Sequence, residues 1–391
     1  MTRCVGHAIL SSCHLVILAL LLAACTPAPT LPQTSLSAVE AAGGSGAAGF
    51  AKVTQPRPFV FPRDHGPHQE YATEWWYYTG NLDTADGRHV GYQLTFFRFG
   101  LAPHAPERAS AWATASLYMA HFALTDVAGK QFHAFDRFSR AGAGLAGATG
   151  EPYHVWLDDW SVEGGTNGLP MRLRAKQDDV AIDLTLDTTR PVVLQGDRGV
   201  SQKSPAPGNA SYYYSLTHMA SQGTITIGEQ RLAVRGLSWM DREWGTTALD
   251  TNSVGWDWFA IQLDDGRDLM YYRIRGTNGQ GEYRFGTLVA ADGSVRRLDD
   301  ADVQLDALGT WRSPRSQAEY PSGWRLRVKA EQLDLTATPY LQDQELPLAI
   351  TYWEGANQVA GTAGGKPVRG NAYVELTGYG EQPAQGGVRV R

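Results

Sequence analysis

From residue 59 onward, apolar and polar positions alternate with a period of two in short runs bounded by turn residues, which is the signature of half-buried strands. Such runs cover 74–79, 90–99, 116–125, 171–175, 181–186, 223–227, 231–234, 256–263, 269–275, 324–328, 346–352 and 372–377. Several end in Asp-Gly, as at Asp86-Gly87, Asp265-Gly266 and Asp292-Gly293, where glycine supplies the positive φ of a tight hairpin. No stretch sustains a 3.6-residue period, so the chain is expected to be all-β. One pattern occurs twice: Trp75-Trp76-Tyr77, then Asp86-Gly87-Arg88, then Phe96-Phe97-Arg98; and Trp256-Asp257-Trp258-Phe259, then Asp265-Gly266-Arg267, then Tyr271-Tyr272-Arg273. In a chain of 391 residues this predicts two similar β-domains, joined near 245–252.

The region before the first strand reads differently. Arg3 precedes an apolar run, Leu15 to Ala24, that ends in Leu22-Ala23-Ala24-Cys25 and is too short to span a bilayer, which needs roughly 20 helical residues. This resembles a bacterial lipoprotein signal. Residues 1–24 are then a leader, Cys25 carries the lipid, and Thr26 in place of Asp directs the protein to the outer membrane, facing the periplasm. Residues 25–58, rich in Pro, Ala, Gly and Ser, are expected to form a flexible tether. Only Cys4, Cys13 and Cys25 occur in the chain, so no disulfide framework stabilises the fold. Lys plus Arg number 34 against 40 Asp plus Glu, and a balance of −6 argues against nucleic acid as a partner.

Two segments concentrate chemistry. On a strand through Glu74-Trp75-Trp76-Tyr77-Tyr78-Thr79, Glu74, Trp76 and Tyr78 share one face and Trp75, Tyr77 and Thr79 the other. In the next strand Tyr92, Leu94, Phe96 and Arg98 share a face, so Glu74 and Arg98 are expected to pair. Trp239-Met240-Asp241-Arg242-Glu243-Trp244 puts three consecutive charges between tryptophans, with Asp241 and Glu243 on one side and Arg242 and Trp244 on the other. Such a cluster must lie at a strand end, be solvated, or be paired in a site; a carboxylate packed against tryptophan is also a route to a general acid at neutral pH. His121, alternating with Met119 and Ala123, is a candidate pocket residue. Gly142-Ala143-Gly144-Leu145-Ala146-Gly147 spells G-x-G-x-x-G without the preceding strand and following helix of a nucleotide site. His65-Gly66-Pro67-His68 lacks a second ligand pair, and neither metal nor cofactor is expected.

The segments 74–82, 91–98 and 239–245, with Tyr373-Val374-Glu375-Leu376-Thr377-Gly378-Tyr379, resemble the AttH-like and carotenoid hydratase family. The resemblance implies two tandem lipocalin-like antiparallel barrels, here 59–248 and 249–391, and an apolar small-molecule ligand. Arg242 stands where the carotenoid hydratases carry histidine, and Tyr271-Tyr272-Arg273 has arginine at the place of their aspartate. Arginine supplies no proton at working pH. Two readings remain open. One is a membrane-anchored hydrolase or hydratase using Asp241, Glu243 and Glu74 for acid-base chemistry, Arg98 and Arg242 as charge stabilisers, and Trp76, Tyr78, His121, Trp244 and Tyr271 as ligand-binding residues. The other is a carrier of a lipid-like ligand.

Overall fold

The computed structural model describes residues 48–104, 110–246, 249, 253–277 and 282–380. All belong to one compact unit, Ser35–Arg391. The leader, Cys25 and residues 26–47 of the tether lie outside the described residues.

Two antiparallel sheets account for nearly all of the described chain, and each curls into a nearly closed barrel. The first contains β1 (Thr73–Thr84), β2 (His89–Gly100), β3 (Ser116–Asp126), β4 (Gln131–Arg140), β5 (Ala146–Gly150), β6 (Tyr153–Leu157), β7 (Trp160–Gly164), β8 (Met171–Gln177), β9 (Val180–Asp187), β10 (Val193–Leu194), β11 (Val200–Gln202), β12 (Ala210–Ile227) and β13 (Gln230–Gly245). The second contains β14 (Ser253–Leu263), β15 (Asp268–Gly276), β16 (Tyr283–Val289), β17 (Val295–Leu298), β18 (Val303–Ala307), β21 (Trp324–Val328), β22 (Leu333–Pro339), β23 (Glu345–Pro347), β24 (Thr351–Ala363) and β25 (Lys366–Leu376); β19 (Thr310–Arg312) and β20 (Glu319–Pro321) form a separate pair. In both sheets the last strand returns to the first: β13 pairs with β1, and β25 with β14.

The sequence repeat is a repeat of structure. The Asp-Gly turns join β1 to β2, β14 to β15 and β16 to β17, with Gly87 at φ +85°, Gly266 at +86° and Gly293 at +84°. One expected strand, 346–352, divides: β23 ends at Pro347 and β24 starts at Thr351, and the two pair as a hairpin. Proline has no N–H to continue the ladder, which favours a turn at that point.

The last part of the expected tether is packed. Phe50 and Val53 are buried, Ala51 N donates to Glu70 O at 2.8 Å, and Tyr212 OH donates to Gln55 O at 2.9 Å. Apolar side chains at 50 and 53, in a stretch otherwise read as polar linker, provide the reason. The barrels meet through the outer faces of β1, β2, β12 and β13 on one side and β14, β24 and β25 on the other. Gly91 permits a close approach, since a Cβ there would lie 2.5 Å from Ala356 Cβ. Polar bonds frame the contact: Gln262 Nε2 donates to Thr217 O at 2.7 Å, Thr125 Oγ1 to Gln344 Oε1 at 2.7 Å, and Thr287 Oγ1 to Gln195 Oε1 at 2.6 Å.

Candidate functional site

Strand alternation sorts each sheet into two aromatic faces. The inward set of the first barrel, Trp76, Tyr78, Tyr92, Phe96, Tyr214 and Trp244 among others, is buried and mutually packed. Tyr271, Phe259 and Trp324 do the same in the second barrel. The barrel interiors are therefore filled by side chains. The open cavity lies between the barrels, against their outer faces, with about 1020 Å³ of space not occupied by atoms, solvent at its mouth included. Trp75, Tyr77, Phe97, Phe99 and Met119 line it from the first barrel, and Trp256, Trp258, Tyr272, Ile274 and Tyr352 from the second. An apolar lining with a few polar groups placed in it is the character of a small-molecule site.

Carboxyl groups enter this apolar space from both walls. Asp241, on β13, is buried and accepts hydrogen bonds from Tyr213 OH (2.5 Å), Ser215 Oγ (2.6 Å) and Trp239 Nε1 (2.7 Å). Burial outweighs these three donors and raises its pKa from 3.8 to about 7, with the Glu243 charge adding to the rise. Glu243 is held differently: Lys203 Nζ lies 2.6 Å from its Oε1, and Ser211 Oγ donates to the same oxygen. Burial disfavours the Lys203 ammonium, but Glu243 and Tyr272 outweigh it and keep the charge.

On the opposite wall Glu354 of β24 and Glu375 of β25 are directly opposed cross-strand partners. Burial pushes both carboxyls up; the Glu375 charge adds to the rise at Glu354, and the Asp241 and Glu243 charges add to it at Glu375, whose pKa reaches about 8, so the pair retains a proton at neutral pH. Tyr77 OH, from the first barrel, donates to Glu354 Oε1 at 2.5 Å, while the buried Oε2 has no protein partner. His121 also lines the cavity; its Nδ1 shares a 2.8 Å hydrogen bond with Tyr352 OH and its Nε2 has no protein partner. Burial lowers its pKa to about 3, so the ring is neutral.

Of the residues singled out in the sequence, Asp241, Glu243 and His121 come together at the cavity. Trp76, Tyr78 and Trp244 lie instead in the core of the first barrel and Tyr271 in that of the second. The alternation was assigned correctly, but both faces of these strands are aromatic, so residue type did not tell which face the ligand space adjoins. Glu74, Arg98 and Arg242 are also inside the first barrel, where Glu74 bonds both guanidinium groups. Burial disfavours the Glu74 charge, yet the two arginines hold its pKa well below the ordinary carboxylate range.

The arginines also bind the loop that covers this end of the barrel: Arg242 Nη2 donates to Gly66 O (2.6 Å), and Arg98 Nη2 to Tyr71 O (2.6 Å) and His68 O (3.1 Å). Arg242 Cζ stands 4.0 Å from the Trp76 ring centroid. The cluster builds the barrel and does not reach the cavity. Sequence reasoning missed Glu354, Glu375, Tyr213 and Lys203, although Tyr352-Trp353-Glu354 and Tyr373-Val374-Glu375 repeat a tyrosine and a glutamate on one strand face. Among the described residues no group of three or more His, Cys, Asp or Glu is arranged to hold a metal ion.

A family model described as AttH-like matches residues 52–379. Kievitone hydratase from Fusarium solani subsp. phaseoli is 27% identical over 220 residues, 52% of this chain and 59% of that protein. Dehydratase asqC from Emericella nidulans is 29% identical over 170 residues, 41% of this chain and 47% of that protein. The chain thus matches about half the length of these curated relatives. Among solved structures, an AttH assignment from Nitrosomonas europaea superposes with a TM-score of 0.76 at 36% identity, covering 85% of this chain and all of that one. Kievitone hydratase from Nectria haematococca superposes with a TM-score of 0.62 at 19% identity over 84% of this chain and 96% of that one, a likeness of fold.

Proposed function

The chain belongs to the AttH-like family, and from that premise we propose that it adds water to, or removes it from, a hydrophobic small molecule held between the two barrels. The observation that carries the reading is the pairing of Asp241 on one wall of an apolar cavity with Glu354 and Glu375 on the other, each wall able to hold a proton near neutral pH. Kievitone hydratase and dehydratase asqC, by their names, carry out the two directions of this chemistry.

In dehydration a carboxyl on one wall protonates the leaving hydroxyl oxygen, the C–O bond breaks, and a carboxylate on the other wall takes the proton from the adjacent carbon as the double bond forms. Hydration runs the same transfers backwards, with the second wall protonating carbon and the first taking a proton from water. One wall gives up a proton and the other gains one, so the net charge of the site is the same before and after the reaction. A carboxyl pKa near the working pH suits both roles. Trp75, Trp256 and Trp258 supply the apolar contacts that hold the substrate.

The test is to incubate the purified protein with prenylated phenols, isoprenoids and a lipid extract of its source, and to follow gain or loss of one water mass by mass spectrometry. A product in this class that Glu354→Gln reduces at least tenfold, with unchanged thermal unfolding, supports the reading. Retention of an apolar ligand without turnover identifies a carrier instead. We further propose that Cys25 bears the lipid anchor that holds the protein at the outer membrane. Cys25→Ser is expected to move the protein from the membrane pellet to the soluble periplasmic fraction, and unchanged sedimentation with membranes would refute the anchor.

A further inference from the structure

We propose that Gln93, His121 and Glu354 hold the oxygen that the reaction adds or removes, so that the Glu354 wall of the cavity handles the hydroxyl or water and the Asp241 wall the adjacent carbon; this rests on the water chemistry proposed above and adds which wall does which.

In an apolar cavity, polar atoms that the protein leaves without partners mark where a polar group of the ligand goes. Among the described residues, three buried side-chain atoms of the lining lack a hydrogen-bond partner: Gln93 Oε1, His121 Nε2 and Glu354 Oε2. The strand register gathers their side chains. Tyr77, Thr95 and His121 stand directly opposite one another on β1, β2 and β3, and Gln93 is two residues from Thr95 on the same face. Tyr352 and Glu354 share a face of β24, which packs against β2. Tyr77 OH donates to Glu354 Oε1, while the Tyr352 hydroxyl bonds His121 Nδ1 at 2.8 Å and accepts a longer bond from Gln93 Nε2 at 3.4 Å. The three open atoms therefore belong to side chains collected at Tyr352, amid the apolar Phe97, Met119 and Ile350.

A hydroxyl or water oxygen is the partner they fit. Gln93 Nε2 is taken up by Thr95 Oγ1 at 2.7 Å, so Gln93 Oε1 is left to accept from a donor. The neutral His121 ring has one N–H. If Nδ1 carries it for Tyr352, Nε2 accepts; if Tyr352 donates to Nδ1, Nε2 donates. A hydroxyl both donates and accepts, and so meets either form. A carbonyl cannot serve Gln93, and a hydrocarbon leaves all three atoms buried and unpaired. The Asp241 wall differs, because that carboxyl already accepts from Tyr213, Ser215 and Trp239. Proton transfer to or from carbon needs no further polar partner there. In dehydration the Glu354 carboxyl gives its proton to the hydroxyl as the C–O bond breaks. The water formed stays with Gln93 and His121, and the Asp241 carboxylate takes the proton of the adjacent carbon while the C–H electron pair forms the double bond.

Binding reads the assignment without turnover. Displacement of N-phenyl-1-naphthylamine from the purified protein gives affinities for 4-phenylbutan-2-ol and butylbenzene, which differ by the hydroxyl alone. The ratio of alcohol to hydrocarbon affinity is expected to fall about fivefold or more in His121→Phe and in Gln93→Leu, with butylbenzene affinity retained, and to hold within about twofold in Asp241→Asn. A ratio unchanged in His121→Phe and Gln93→Leu, as a tightly held structural water would give, overturns the assignment. So does a ratio that Asp241→Asn lowers as far. Should a variant fail to fold or the dye bind elsewhere, crystals of the wild type with 4-phenylbutan-2-ol decide. Its oxygen within hydrogen-bond distance of His121 Nε2 supports the assignment; an oxygen placed elsewhere, or no alcohol in the cavity, overturns it. The expected ratios in a protein that turns over nothing in the mass screen refute the water chemistry and leave a hydroxyl-binding carrier, whereas turnover with unchanged ratios refutes the assignment alone.

Discussion

Asp241→Asn is expected to lower kcat/KM for the water addition or elimination by about 10²–10⁴-fold, the usual contribution of a positioned general acid or base, with the fold retained. The asparagine is nearly isosteric; with its carbonyl oxygen in the place of Oδ1 it still accepts from Trp239 and Ser215, and its amide faces the Tyr213 hydroxyl, which can turn to accept where it now donates. The same substitution has a signature in stability that reports the buried, proton-holding state of this carboxyl. The Asp241 carboxyl titrates near 3.8 in the unfolded chain and at about 7 in the folded one. Between these values the folded state binds more protons than the unfolded state, so this group makes stability fall as pH rises from about 4 to 7, by on the order of 4 kcal/mol in total. Asparagine removes that component. Thermal unfolding followed by circular dichroism at pH 5 and pH 8 should show the variant losing less stability with rising pH than the wild type. A variant that unfolds at both pH values, or one that keeps full turnover, would take Asp241 out of the chemistry.

The period-two alternation, the Asp-Gly hairpins and the repeated aromatic hairpin made the all-β class legible, because each is a local property of one or two strands. The partition of Asp241 and Glu243 from Arg242 and Trp244 was legible for the same reason, and so was the Glu74–Arg98 pair, which joins adjacent strands of one hairpin. What could not be read was which face of each sheet meets the other barrel. Trp75 and Trp76 are chemically identical, and only the docking of the barrels makes one a cavity wall and the other core. Glu354 and Glu375 escaped for a related reason: they reach Asp241 and Tyr77 through a contact between residues far apart in the chain. Glu375 lay within a recognised motif, but its partner Glu354 did not, and a lone carboxylate on a strand carries no chemistry by itself.

Glu74→Ala is expected to destabilise the fold by about 3–5 kcal/mol, because it leaves two guanidinium groups buried without a counter-charge. Arg98 and Arg242 are each at most 1% exposed, and the backbone carbonyls of residues 65, 66, 68 and 71 that they also bind cannot neutralise them. The loss should appear as a fall in Tm on the order of 10 °C for a protein of this size, and as earlier proteolysis of the 60–71 loop, which the arginines hold against the barrel end. A second variant separates a structural role from a catalytic one. Replacing the whole cluster, Glu74→Met with Arg98→Met and Arg242→Met, removes the buried charges together and should recover much of the lost Tm, since exchange of a buried ionic cluster for apolar side chains of similar volume is often neutral or stabilising. If that triple variant also turns over substrate, the cluster serves the fold, in keeping with its place inside the first barrel and away from the cavity. If Glu74→Ala instead keeps its Tm and loses turnover, the chemistry extends through the barrel wall, and Trp76, packed 4.0 Å from Arg242 Cζ, becomes the residue that transmits it.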